Sequence, residues 1–208
     1  RGDMRVLDLG CGPGSITVGL ASGARLVVGA DLRADGFGPA RGHLRQREIA
    51  GVHFVAGDGA RLPFPTACFD AVLLHSVLEA ARDPSALVRE AHRVLVPGGI
   101  VAAASVDYGG LVVAGPERDV LEAFYSARER LWALDGIARP RSGRDLRRLL
   151  HDGGFTGLVA SARYLTYGTP GGPVVRKGEG PRLYGFLVPL AVRGARDRGA
   201  GRPAPDAT

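Results

Sequence analysis

The sequence predicts one α/β domain with a doubly wound, parallel sheet, and three observations carry that prediction. At 208 residues the chain can hold one core of ordinary size and is too short for two domains and a linker. Its first two-thirds alternates short apolar runs with stretches of helical periodicity, the pattern of strands joined by crossover helices. The apolar runs are nearly continuous, which fits strands covered by helices on both faces.

Taken in order, strands are expected at Arg5–Leu9, 26–30, Val52–Ala56, 69–74 and 99–105. A helix lies between the fourth and fifth. Asp83 stands where it can cap this helix, Pro84 suits its first position, and Leu87, Val88, Ala91, Val94 and Leu95 recur at helical spacing. Pro97-Gly98-Gly99 is expected to stop it. A second helix is expected over 117–134, with Val120, Phe124, Ala127, Leu131 and Leu134 on one face that packs on the core or covers a site. Ser142 and Asp145 resemble a capping box for a short helix through Leu149 and Leu150, stopped by Gly153-Gly154. Two late strands are expected at Phe155–Ala162 and 183–192, and the glycine- and proline-rich stretch 168–181 between them reads as a mobile loop. The domain is therefore expected over 1–192, and 193–208 as a disordered tail.

A net charge of +6 and a pI near 10.0 raise the question of nucleic acid as a partner. The basic residues are arginines except for Lys177. Several of them, Arg193, Arg196, Arg198 and Arg202, cluster at the far end, while Arg128, Arg130, Arg147 and Arg148 are spread over helix faces. No basic stripe is interleaved with aromatics, which make up only 6% of the chain, so nucleic acid is not the expected partner. No apolar run reaches the roughly 20 residues that cross a bilayer, and the first residues lack the order of a secretory signal. No membrane partner is expected, and the expected location is the cytoplasm. Cys11 and Cys68 stand far apart with no ligand-like spacing beside them, so free thiols and no metal are expected.

The chemistry concentrates where the first strand runs into Gly10-Cys11-Gly12-Pro13-Gly14 and then a helix. Glycine is required where the backbone turns sharply or touches a ligand, although such a turn alone can be a mere tight connection. Asp31 closes the second strand and can accept both hydroxyls of a ribose, which implies an adenosine-containing ligand. Asp58, in Ala56-Gly57-Asp58-Gly59-Ala60 after the third strand, can accept from an exocyclic amine such as that of adenine. Singly, each aspartate reads equally well as a cap or turn former, but three such features at three successive strand ends point to one site. The dinucleotide fingerprint needs glycine or alanine where Ser15 stands, so the ligand is not read as a dinucleotide. Asp8, just before the turn, suits a region that handles a cation rather than a pyrophosphate.

These residues resemble the class I S-adenosylmethionine-dependent methyltransferases, and more closely the ubiquinone/menaquinone-biosynthesis C-methyltransferases and their small-molecule relatives. The resemblance runs from about residue 5 to 105 and more loosely to about 170. It rests on Leu7-Asp8-Leu9-Gly10-Cys11-Gly12-Pro13-Gly14, on Asp31, on Gly57-Asp58-Gly59-Ala60-Arg61-Leu62-Pro63-Phe64, on Phe69-Asp70-Ala71-Val72, and on Arg93-Val94-Leu95-Val96-Pro97-Gly98-Gly99. It implies a Rossmann-like sheet of seven strands with the last antiparallel, and S-adenosyl-L-methionine as cofactor. The cofactor's methionine part would lie over Asp8, Gly10, Cys11, Gly12 and Gly14, its ribose on Asp31 beside Leu32, and its adenine by Asp58, Gly59 and Ala60. His75 matches a position that faces cofactor and acceptor in such enzymes. It can orient the donor or act as a base, and it also reads as a histidine that merely closes its strand. Asp70 is expected to serve structure. Tyr108 and Trp132 can line an acceptor pocket or simply pack.

Two departures from the family pattern stand out. Relatives usually carry some tens of residues before the glycine turn that cover the cofactor, whereas this chain opens a few residues upstream, so that cover is expected to be missing. Relatives also often continue with a helix where 168–181 stands. The primary reading is a methyltransferase acting on a small-molecule acceptor. The alternatives are a module that binds S-adenosylmethionine without turnover and a nucleic-acid or protein methyltransferase. Leu74-His75-Ser76-Val77 stands where many enzymes of that last class carry an Asn/Asp-Pro-Pro-Tyr-like segment.

Overall fold

The computed structural model describes residues 2–107, 113–114, 118–134, 142–162, 165–167 and 184–196. The expected loop at 168–181, Tyr108, Lys177 and the tail beyond 196 lie outside the described residues.

β1 (Arg5–Leu9) leads through a glycine turn into α1 (Ser15–Leu20), and β2 (Leu26–Asp31) leads into α2 (Phe37–Gln46). Then come β3 (Val52–Ala56), β4 (Phe69–His75), α3 (Pro84–Val94) and β5 (Leu95–Asp107). The remainder comprises β6 (Val113–Ala114), α4 (Arg118–Leu134), a 3₁₀ turn over Ser142–Asp145, α5 (Leu146–Asp152), β7 (Phe155–Ala162), β8 (Leu165–Tyr167) and β9 (Tyr184–Arg196).

Among the described residues nine strands form one sheet, and seven of them run in the order β3-β2-β1-β4-β5-β9-β7. The first five are mutually parallel, and β9 enters antiparallel between β5 and β7, as the family resemblance implies. The short β6 and β8 pair with the start of β9. No helix among the described residues is long and apolar enough to cross a membrane.

The core follows from the apolar runs. Leu7, Leu9, Val72, Leu74 and Val101 fill the sheet, and Val88, Ala91 and Val94 of α3 pack on it with Leu146 and Leu150 of α5. Asp83 caps α3 as expected, its Oδ1 accepting from the N–H of Ala86 at 3.0 Å. At the amino edge of the sheet Asp70 accepts three bonds from Arg5, from the backbone N–H at 2.7 Å, Nε at 3.0 Å and Nη2 at 2.8 Å, which ties β4 to β1. The guanidinium holds the Asp70 carboxyl below the usual carboxylate range, against the opposing effect of burial. A lowered native pKa contributes stability that is present above the unfolded value and lost as pH falls through the native one. The melting temperature of Asp70→Asn should therefore fall less steeply than the wild type's between about pH 5 and pH 2; parallel curves would show that Asp70 carries no such contribution.

Four expectations need correction. Pro97-Gly98-Gly99 does not stop α3: the helix ends at Val94, and these residues lie inside β5. They form a bulge, where the step from Phe69 to Ala71 on β4 is matched by the step from Leu95 to Ile100 on β5. Gly98 takes φ +80° there, which only glycine adopts freely. Ser142 does not cap α5, whose N-cap residue Asp145 makes no side-chain capping bond, because the Ser142 hydroxyl is spent on a buried tertiary contact. Of the apolar residues expected on one face of α4, Val120, Phe124, Leu131 and Leu134 are exposed, at 51, 37, 56 and 82%. Phe124 and Tyr125 meet edge to face, and the Arg128 guanidinium lies over both rings, so part of that helix surface is satisfied by its own next turn. Finally, β9 extends through Arg196, four residues into the expected tail. It is held there by Ala195 pairing with Ile100 and Arg196 with Phe155, and by Arg196 Nη1 donating to the carbonyls of Arg93 and Leu95.

Candidate cofactor site

The parallel strands end together at one edge, and the residues singled out from the sequence gather there. Ala30 O accepts from the N–H groups of Gly10 (2.8 Å) and Cys11 (3.1 Å), which folds the chain sharply as it leaves β1. Gly10, Gly12 and Gly14 take φ of +78°, +52° and +85°. A Cβ at Gly10 would lie 2.2 Å from Cγ2 of Val77, and one at Gly14 would lie 2.5 Å from the Phe54 ring. At Gly12 a Cβ would meet nothing within 4 Å, so the middle of the turn faces open space.

Asp31 is bound into that turn. Its Oδ2 accepts from the Gly12 N–H at 2.8 Å and its Oδ1 from the Arg33 N–H at 3.0 Å. Each oxygen keeps a lone pair for a further donor. Leu32 beside it is 74% exposed, an apolar side chain left on the open edge. The next strand end is tied to this one, with Gly57 donating to Asp31 O at 2.8 Å. Asp58 is exposed and accepts from the Ala60 N–H through Oδ1 at 2.9 Å. The loop that carries Asp58 is fastened to α3 at Leu62, whose N–H donates to Glu90 at 2.7 Å and whose carbonyl accepts from Arg93 at 3.3 Å. Gly59 lies close to Leu9, 3.1 Å from its Cδ1 to the position of a Cβ.

Asp8 sits beneath the turn rather than on its open side. It is 1% exposed, and its Oδ2 accepts from the Thr17 hydroxyl at 2.6 Å. Burial holds its carboxyl above the usual carboxylate range, with the Thr17 bond opposing that shift. His75 is exposed at the end of β4. Cys11 and Cys68 are both free. Burial together with the charges of Asp8 and Asp31 pushes the Cys11 thiol up to about 12, well above the ordinary value of about 8.5. Cys11 should therefore resist alkylation by iodoacetamide near pH 8 in the folded protein and react on denaturation; rapid labelling of the native protein, read by mass spectrometry, would contradict this.

The sequence did not single out Thr17, or a buried group farther along the same edge. Glu79 (4% exposed) accepts through Oε2 from Ser105 Oγ at 2.7 Å, and Ser105 Oγ is 2.8 Å from Ser142 Oγ. Next to them Asp107, also 4% exposed, takes Nε (2.7 Å) and Nη2 (3.0 Å) of Arg144. Single polar residues of this kind leave no local pattern in a sequence.

This arrangement could hold a ligand with hydroxyls for Asp31, an apolar ring edge for Leu32 and an amine for Asp58. Residues 7–103 match the model of a methyltransferase domain. The chain is 34% identical over 151 residues to an uncharacterized methyltransferase of Schizosaccharomyces pombe, covering 69% of this chain and 53% of that one. It is 36% identical over 106 residues to the ubiquinone/menaquinone biosynthesis C-methyltransferase of Vibrio campbellii, covering 48% and 40%. This chain thus spans about half or less of the length of these curated relatives. Among solved structures, the YcgJ protein of Bacillus subtilis superposes with a TM-score of 0.72 at 20% identity, covering 96% of this chain and 94% of that one.

Proposed function

We propose that this chain is a class I S-adenosylmethionine-dependent methyltransferase and that it transfers a methyl group from S-adenosylmethionine to a small-molecule acceptor. The observation that carries this reading is the 2.8 Å bond between Asp31 and the Gly12 N–H, which brings a carboxylate and the open middle glycine of the turn to one edge of the sheet. Asp31 would take the ribose hydroxyls, Leu32 and Ala60 the faces of the adenine, Asp58 its exocyclic amine, and the backbone from Gly10 to Gly14 the methionine part. The buried Asp8 side chain anchors the turn from beneath through Thr17. When bound, S-adenosylmethionine supplies an electrophilic methyl group on a sulfonium sulfur. The protein's task is then alignment and exclusion of water, since an in-line displacement asks little chemistry of side chains. His75, exposed at the end of the adjoining strand, would accept a proton from a hydroxyl or activated carbon, or orient the donor. A small acceptor is supported by the likeness to a quinone-biosynthesis enzyme.

Calorimetric titration of the chain with S-adenosylmethionine and separately with NAD tests the reading. Binding of the first alone is expected. Turnover of isotopically labelled donor against a panel of small hydroxyl and carbon acceptors then separates an enzyme from a module that only binds. Binding of NAD instead would sink the proposal.

A further inference from the structure

The chain leaves β4 in an unusual way. Ser76, just past His75, takes φ +53° while its N–H still bonds Ala104 O at 2.8 Å. A non-glycine residue holds this conformation only where its surroundings determine it. Two contacts do so. Val77 presses its isopropyl group onto the Gly10 backbone, where no Cβ would fit. Two residues on, Glu79 is buried with Ser105 and Ser142. Ser105 Oγ donates its one proton to Glu79, so the proton between the two hydroxyls comes from Ser142. A buried carboxylate is costly unless it is hydrogen-bonded, and a leucine would pack there without that cost. The run from His75 to Glu79 is thus pinned at one end on the glycine turn and at the other on β5 and the turn before α5.

We propose that Glu79 is a positioning residue for the donor site: through Ser105 and Ser142 it fixes the 75–79 run so that Val77 supports the Gly10 backbone. This rests on the reading that the turn binds S-adenosylmethionine, and it adds a residue that touches neither ligand nor turn.

The test is calorimetric affinity for S-adenosylhomocysteine, measured on the full chain beside thermal melting. If the wild type does not bind, it is the reading of the site that fails. Given wild-type binding, Glu79→Ala should bind about tenfold more weakly, and Glu79→Gln, which keeps an oxygen for Ser105, should stay within about threefold of wild type. Val94→Ala, a truncation at the amino end of the core, should lower the melting temperature without changing affinity. Because Glu79 acts through Val77, the double variant Glu79→Ala with Val77→Ala should bind little more weakly than the worse single variant. The proposal is overturned if Glu79→Ala binds within twofold of wild type, if Gln fails to rescue, or if the two losses multiply. Should Glu79→Ala not fold, Ser142→Ala decides: a loss of affinity restored by Ser142→Thr supports the proposal, and no loss overturns it.

Discussion

Asp31→Ala is expected to weaken S-adenosylmethionine binding by about a hundredfold or more, the largest effect of any single change in the site. The carboxylate has two tasks. It holds the Gly12 and Arg33 N–H groups at 2.8 and 3.0 Å, and in the proposed complex its remaining lone pairs receive the ribose hydroxyls. Hydrogen bonds to a charged group contribute about 1.5–3 kcal/mol each, and every 1.4 kcal/mol is about tenfold in affinity, so losing the ligand bonds alone gives roughly the stated factor. Asp31→Asn should fall between, because one amide oxygen remains while an NH₂ group faces a backbone donor. Calorimetry on the three proteins reads this directly. An Asp31→Ala protein that binds within threefold of wild type would remove the carboxylate from the site.

Gly14→Ala should be the most damaging substitution for the fold near the site. An L-residue at φ +85° costs about 1–2 kcal/mol, and the new methyl would lie 2.5 Å from Cε1 of Phe54 and 3.0 Å from Ala40 Cβ. The Phe54 ring cannot easily retreat: it stacks at 5.1 Å on Phe37, which is fully buried. Overpacking adds about 1–3 kcal/mol. At about 2–4 °C per kcal/mol for a chain of this size, the melting temperature should fall by roughly 5–15 °C. Combining Gly14→Ala with Phe54→Leu should recover the steric part and leave the backbone part. No recovery in the double variant would place the whole cost in the backbone.

What could be read from the sequence was local and periodic. β1 and β3 are read to the residue, because an apolar run bounded by glycine or a charge is self-announcing, and Asp83-Pro84 marks the start of α3 in the same way. Asp31 and Asp58 could be singled out because one ends such a run and the other stands two residues past one. Failures occur where a distant partner outweighs a local pattern. Ser142 looks like a cap, yet its hydroxyl is taken by Ser105, 37 residues away. Pro97-Gly98-Gly99 looks like a helix stop, yet β4 draws those residues into a bulged strand. Glu79 is one charge in a loop, indistinguishable in sequence from a solvated one, and only the packing of β5 and the turn before α5 around it makes it buried.

The insertion of β9 between β5 and β7 has a consequence for how the protein is made. Among the described strands β9 follows β5 and β7 in the chain, yet it supplies the pairing partner for both. Until it emerges, β5 and β7 each expose an unpaired edge, the surface most prone to join another chain. Closure of the sheet therefore waits on β9 and depends on contacts between residues nearly a hundred apart in the case of β5 and β9, which makes it slow relative to the local βα units. Expression yield should be governed by events at that seam, where a holding chaperone or a lower growth temperature would act, rather than by the stability of the finished fold.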